Sequence, residues 1–226
     1  MSHYNVAVFS KRPEDVDELL EPFNENSSPA CPYMEFIESE DEDFDEDAQK
    51  HGYWHNPQAY WDWWEIGGRW HGMLRLKKGA TGRCVASSSF ATAPKCKTGT
   101  CNQALVMHCD FSPDEKEYKW ALRFWEVIVE GAEREEGEPE YTTWLVPQYY
   151  IDKYGTKERF AEHHARFTTY AFIRADGEWV APGRVGFFGS DDSTKDSQEE
   201  YDAKLEAYLT QAAEEGLYIT IVDCHI

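Results

Sequence analysis

Aromatic and β-branched residues alternate with small ones along YNVAVF, residues 4–9, and Ser10-Lys11-Arg12-Pro13 closes the run, so the chain opens on a predicted strand. The period then changes. In PEDVDELLEPF, Val16, Leu19 and Leu20 recur at three- and four-residue steps, Pro13 suits a first helical position and acids fill the first turn, which predicts a helix. YMEFIE, residues 33–38, reads as a second, edge strand. After Asn56-Pro57, AYWDWWEIGG and RWHGMLRLKK read as two arms of a β-hairpin turning on Gly67-Gly68. On its return arm Trp70, Gly72, Leu74 and Leu76 share one parity, and Arg69, His71, Met73 and Arg75 the other. The same two glycines also permit a bulge, or a bend in which the backbone closely approaches a ligand.

Residues 79–103 are rich in Gly, Ser, Thr and Ala and poor in acids, and are expected to form a long surface loop or insertion. SPDEKEYKWALRFWEVIVEG restores helical spacing, with Ser112 available as a cap. GAEREEGEPE is then a loop, TWLV a short strand and QYYIDKYGTKERFAEHHARF one or two helices. In TTYAFIRADGEWVAPG, Asp176-Gly177 separates two alternating arms, a strong hairpin signal, and GFFGSDDSTKDS follows as a loop. QEEYDAKLEAYLTQAAEEG places Tyr201, Leu205, Tyr208, Leu209 and Ala212 on one helical stripe and stops at Gly216, before a terminal strand, LYITIVDCHI. Strands first and last, with helices between hairpins, predict a single α+β domain over residues 1–226. Its sheet is mixed or mainly antiparallel, contains the N- and C-terminal strands and is backed by helices.

Charge narrows the partners. With 22 basic against 43 acidic residues and a formal net charge of −21, the chain lacks the basic footprint that direct nucleic-acid binding requires, and its field attracts basic surfaces instead. ESEDEDFDED concentrates eight acids in ten positions and is expected to be a solvated loop or frayed helix; Glu40, Asp41, Glu42, Asp43, Asp45, Glu46 and Asp47 are its candidate partner-binding residues. Residues 133–140 form a second acidic stretch. No apolar run of about 18 residues offers a membrane span, and the N-terminus lacks the pattern of a signal peptide, so a cytoplasmic location in a bacterial host cell is expected. In that compartment the six cysteines are expected as free thiols.

Three groups of residues could carry chemistry. The tryptophans of residues 61–70 are either core or a stacking surface, in which Trp61, Trp63, Arg69, Trp70 and His71 would hold a nucleotide-like small molecule. Asp223 and His225 point to one face of a strand and Cys224 to the other. The first two could bind a metal or act as an acid–base pair, joined by His3 or His71 if the terminal strands neighbour the tryptophan segment, and a hydrolase would use His71, Asp223 and His225. Cys84, Cys96, Cys101 and Cys109 are spaced C-x11-C-x4-C-x7-C, without the paired C-x2-C knuckles of a zinc site, so no metal and no cofactor are expected. His163-His164 lacks the i, i+4 spacing of a zincin, and the chain contains no phosphate-binding glycine loop, G-x-S-x-G elbow or H-E-x-x-H pair.

The NP-x-A-x-WDW-x-x-IGGRW block at residues 56–70 and the terminal TIVDCHI resemble a family of uncharacterised proteins encoded by phages, prophages and other bacterial mobile elements. So do NQALVMHCDF and TYAFIRADGEWVAPGRVGFFG, and residues 79–100 are least covered. The resemblance carries no catalytic residue. What it implies is an accessory protein of phage or mobile-element type; by analogy with other small acidic proteins of that origin, it is expected to antagonise a bacterial defence protein by binding it through the acidic surface, as an anti-CRISPR-like inhibitor rather than an enzyme. A nucleotide-like binder that sequesters a defence signal and a hydrolase are the alternatives.

Overall fold

The computed structural model describes residues 2–85, 95–185 and 192–226. The chain divides into two compact units, Met1–Asp110 with Thr169–Ile226, and Phe111–Thr168. In the first unit β1 (His3–Ser10) leads through short 3-10 turns into α1 (Val16–Leu20) and then β2 (Glu35–Glu38), β3 (Phe44–Asp45), β4 (Lys50–His55), β5 (Trp63–Ile66), β6 (Leu74–Arg75), β7 (Thr100–Cys101) and β8 (Gln103–Leu105). The second unit holds α2 (Glu115–Ile128), α3 (Pro147–Tyr154) and α4 (Lys157–Ala165). The first unit resumes with β9 (Ala171–Ile173), β10 (Trp179–Val180), α5 (Lys195–Glu214) and β11 (Tyr218–His225). The fold is α+β, as expected. No helix among the described residues is long and apolar enough to cross a membrane.

The main sheet runs β10-β9-β1-β11-β5, with β8 also on β11. Its spine is the antiparallel pairing of β1 with β11 over their full length, from His3 opposite His225 to Ser10 opposite Tyr218. β9 adds to β1 in parallel and β10 closes the Asp176-Gly177 hairpin. The outer edge of β11 is divided between two strands, β8 against residues 218–220 and β5 against residues 222–225. One face of the sheet carries Tyr4, Val6, Val8, Val222 and Cys224, and packs against Val16, Leu20, Phe23 and Trp61. The other face is apolar only over half its length. There Phe9 meets Tyr208 of α5 edge to face at 4.9 Å, and Phe172 stacks on Tyr208 at 5.6 Å. Beyond Ala7 and Ile221, the residues of the same parity become Asn5, His3, Asp223 and His225, joined by Glu65 and Trp63 from β5.

Three local expectations are corrected. The Gly67-Gly68 segment is not a hairpin: β5 pairs with β11, residues 68–70 form a 3-10 turn, and the return arm contributes only β6, which pairs with β7. The free edge of β11 supplies a better partner for β5 than its own continuation, and the positive φ of Gly67 and Gly68, 80° and 47°, bends the chain away. The acidic run is not all loop, because Phe44 and Asp45 form β3 on β4, in a ribbon ordered β2-β4-β3. TWLV is not a strand; Trp144 is 99% exposed, and the segment ends at Pro147, where α3 begins. Residues 86–94 of the expected long loop and 186–191 of GFFGSDDSTKDS lie outside the described residues.

The second unit is helical. Asp114, rather than Ser112, caps α2 by accepting hydrogen bonds from the Lys116 and Glu117 amides. Its core joins Ala121, Phe124 and Trp125 of α2 to Tyr150, Phe160 and Ala161, with Phe124 stacked on Phe160 at 5.5 Å.

Candidate functional site

At the polar end of the sheet the β1–β11 register puts His3 beside His225 and Asn5 beside Asp223. Asp223 is fully buried, which a carboxylate tolerates only when its oxygens are satisfied. The His3 Nδ1–H donates to its Oδ1 at 2.7 Å, and the Arg69 backbone N–H donates to its Oδ2 at 2.9 Å. His225 is held in the same way from the other side, its Nδ1–H donating to Asp62 Oδ1 at 2.6 Å. A carboxylate is only an acceptor, so each imidazole keeps its proton on Nδ1 and presents Nε2 for chemistry. The two rings meet edge to face with centroids 4.9 Å apart, and Trp63 stacks on His225 at 5.1 Å. Burial and then the negative charge of Asp223 push the Glu65 carboxyl above its ordinary value, against the pull of His3. Asn5 completes the patch: its Oδ1 accepts from the Tyr170 backbone N–H and its Nδ2 faces Met73 Sδ at 3.4 Å.

The glycine pair is what lets the turn approach this patch. A Cβ on Gly68 would lie 2.3 Å from Asp223 Oδ2, and one on Gly67 would lie 2.6 Å from Asn102 Nδ2. Of the two alternatives left open for these glycines, close backbone approach is therefore realised, against a carboxylate of the chain itself.

A second polar cluster lies on the far side of the turn. Asn102 Nδ2 donates to the Val85 carbonyl at 2.7 Å and to His71 Nδ1 at 3.0 Å, while its Oδ1 accepts from the Gly72 N–H at 2.6 Å. His71 Nε2 is 3.3 Å from Cys84 Sγ and 3.4 Å from Cys96 Sγ. Cys84 and Cys96 are joined as a disulfide, which corrects the expectation of six free thiols; the backbone brings their Cα atoms to 5.7 Å. Among the described residues, His71, Cys84 and Cys96 are also the one group of three whose ligand atoms approach closely enough to hold a metal ion.

The predicted residues are thus distributed over several places. Asp223 and His225 share one patch, but His3 takes the role suggested for His71, which belongs to the disulfide cluster. Trp61 is 1% exposed within the core on the opposite face of the sheet, whereas Trp63 is 43% exposed beside His225. Arg69 is exposed at the turn and Trp70 half-buried within it. Glu40, Asp41, Glu42, Asp43, Glu46 and Asp47 are exposed around β3, and Asp45 is half-buried, its carboxylate accepting from the Ala48 N–H. Asp62, Glu65 and Asn102 were not singled out from the sequence. Asp62 and Glu65 lie inside the tryptophan block, and strand pairing with Asp223 and His225 was the signal that could have found them.

Replacing Gly68 by Ala introduces a Cβ where Asp223 sits and a side chain at positive φ. The substitution is expected to lower stability by about 1–3 kcal/mol in urea melts. Gly79→Ala, at positive φ but with nothing within 4 Å of the added Cβ, serves as the control for backbone strain alone. Equal losses in the two variants would contradict the packing of Gly68 on Asp223.

No protein-family model, no curated protein and no solved structure matches this chain.

Proposed function

We propose that the His3–His225 patch is a general acid–base site acting on a small nucleotide-like molecule. The observation that carries this reading is the pair of imidazoles 4.9 Å apart, each held at Nδ1 by its own carboxylate. With one ring neutral and the other protonated, one Nε2 takes a proton from an attacking water as the other Nε2 gives a proton to the leaving oxygen. Asp223 and Asp62 orient the rings and stabilise the imidazolium that forms. The exposed face of Trp63 offers a stacking surface for a heterocycle, and Arg69, exposed on the adjoining turn, supplies a cation. In the phage or mobile-element setting that the resemblance implies, the substrate is a nucleotide defence signal.

The test is hydrolysis of a panel of cyclic and linear nucleotides, followed by chromatography, with His3→Gln and His225→Gln as variants. Each is expected to lose about a hundredfold or more in kcat/KM and to retain its fold, and the wild-type rate is expected to pass through a maximum with pH. Absence of both turnover and binding across the panel, or full activity in both variants, would contradict the reading.

A second reading, a non-enzymatic antagonist that docks a basic defence protein, is favoured by one specific feature. The β2–β4–β3 ribbon surrounds exposed Ile37, Phe44 and Tyr53 with acids, an apolar centre within a charged rim. Removing the charge from Asp41, Glu42, Asp43 and Asp45 is expected to weaken capture of such a partner and flatten its salt dependence, measured by calorimetry at two ionic strengths. Unchanged affinity would count against docking through the ribbon.

A further inference from the structure

We infer that Cys84 and Cys96 form a redox-active pair that exchanges with a low-molecular-weight thiol, with His71 as the group that receives the departing sulfur. This inference is independent of any reaction at the His3–His225 patch, since it rests on different side chains and on a different readout.

The protonation of His71 is fixed by its neighbours. Asn102 could in principle be turned end for end, but its Oδ1 must accept from the Gly72 N–H and its Nδ2 must donate to the Val85 carbonyl. The second Nδ2 hydrogen therefore points at His71 Nδ1, which has to be the unprotonated nitrogen. Nε2 then carries the proton, 3.3 and 3.4 Å from the two sulfurs. A thiophilic metal would require the opposite arrangement: Nε2 would offer its lone pair, and the proton left on Nδ1 would face another donor, the Asn102 amide. The donor set alone fits zinc, but the outer hydrogen bonds do not.

The surroundings suit exchange. His71, Cys84 and Cys96 are all half-buried, so a small thiol can reach them. From Arg75 to Lys97 the chain carries six cationic residues and no carboxylate, although its net charge is −21. Lys77, Lys78, Arg83, Lys95 and Lys97 are exposed in this basic island, which attracts an anionic thiolate that the rest of the surface repels. The other buried thiols are built differently. Burial pushes Cys101 up to about 11, Cys109 up to about 12 and Cys224 well above the ordinary thiol value, so they stay protonated and unreactive.

In the first step a thiolate attacks one sulfur of the pair. A new S–S bond forms as the Cys84–Cys96 bond breaks, and the electron pair leaves on the second sulfur, where the His71 Nε2–H donates to it. A second thiolate then attacks the mixed disulfide and releases the oxidised small molecule. That attack falls on the small molecule's sulfur and breaks its bond to the cysteine, so the protein gains two electrons from the two thiolates, takes two protons from water and ends as two thiols; a disulfide of the same small thiol reverses the sequence.

The full-length protein is equilibrated in glutathione buffers from oxidising to reducing, then quenched and labelled in one step with excess N-ethylmaleimide at neutral pH without denaturant, and each cysteine is read by peptide mass spectrometry. Cys84 and Cys96 are expected to pass together from disulfide to two labelled thiols through a glutathione adduct, while the folded circular dichroism spectrum is retained. Half-buried Cys31 labels throughout as the reference, and buried Cys101, Cys109 and Cys224 do not label. His71→Gln is expected to slow reduction about three- to tenfold. The inference is overturned if the pair resists glutathione until the chain unfolds, if the purified protein holds stoichiometric zinc on two reduced thiols, or if His71→Gln is reduced at the wild-type rate.

Discussion

The antiparallel pairing of the first strand with the last is the constraint on which the rest of the first unit depends. It joins two segments at opposite ends of the chain over eight consecutive residue pairs, buried from Tyr4 onward on β1 and from Ile219 onward on β11. Loop-closure entropy grows only slowly with chain length, and the apolar face made by Tyr4, Val6, Val8, Val222 and Cys224 offsets that cost. The register is equally consequential. Side chains alternate between faces along a strand, so a slip of one residue would move either His3 and Asn5 or Asp223 and His225, depending on which strand slips, into the core that faces α1.

That register explains how one sheet face serves two purposes. Under α5 it presents Ala7, Phe9, Ile219 and Ile221, all fully buried, and holds the sheet to the helix. Past those residues α5 gives way to the turn after β5, whose backbone can approach only because Gly67 and Gly68 have no side chain in the way. The turn satisfies Asp223 from one side, as His3 does from the other. A buried carboxylate with two donors is a rigid anchor, and the imidazole it fixes inherits that rigidity. Asn102 does the same for His71, so one pair of glycines lies between two oriented histidines with opposite protonation patterns.

Much of this architecture was legible in the sequence. The terminal strands, the first helix, the Asp176-Gly177 hairpin and the long helix before Gly216 all follow from period and from turn residues. The errors share a cause. Gly67-Gly68 looked like a hairpin turn because alternation on both sides is a local signal, whereas the partner that β5 takes is β11, more than 150 residues away in the chain. Trp61 and Trp63 have the same parity, but they lie on opposite sides of the sheet because β5 begins only at Trp63. Asp223 and His225 were visible as same-face residues, but their partners His3 and Asp62 could be assigned only once the strands on either side of β11 were known.

The central claim is that carboxylates hold His3 and His225 with Nε2 available, while an amide holds His71 the other way round. Long-range nitrogen–proton NMR correlation of the imidazoles, recorded on the intact protein at alkaline pH, distinguishes the two tautomers of each ring. The structure predicts Nδ1–H for His3 and His225 and Nε2–H for His71 in the same spectrum. Nε2–H at His3 and His225, or rapid exchange between tautomers at either ring, would mean that Asp223 and Asp62 do not orient the pair, and the acid–base account would fail.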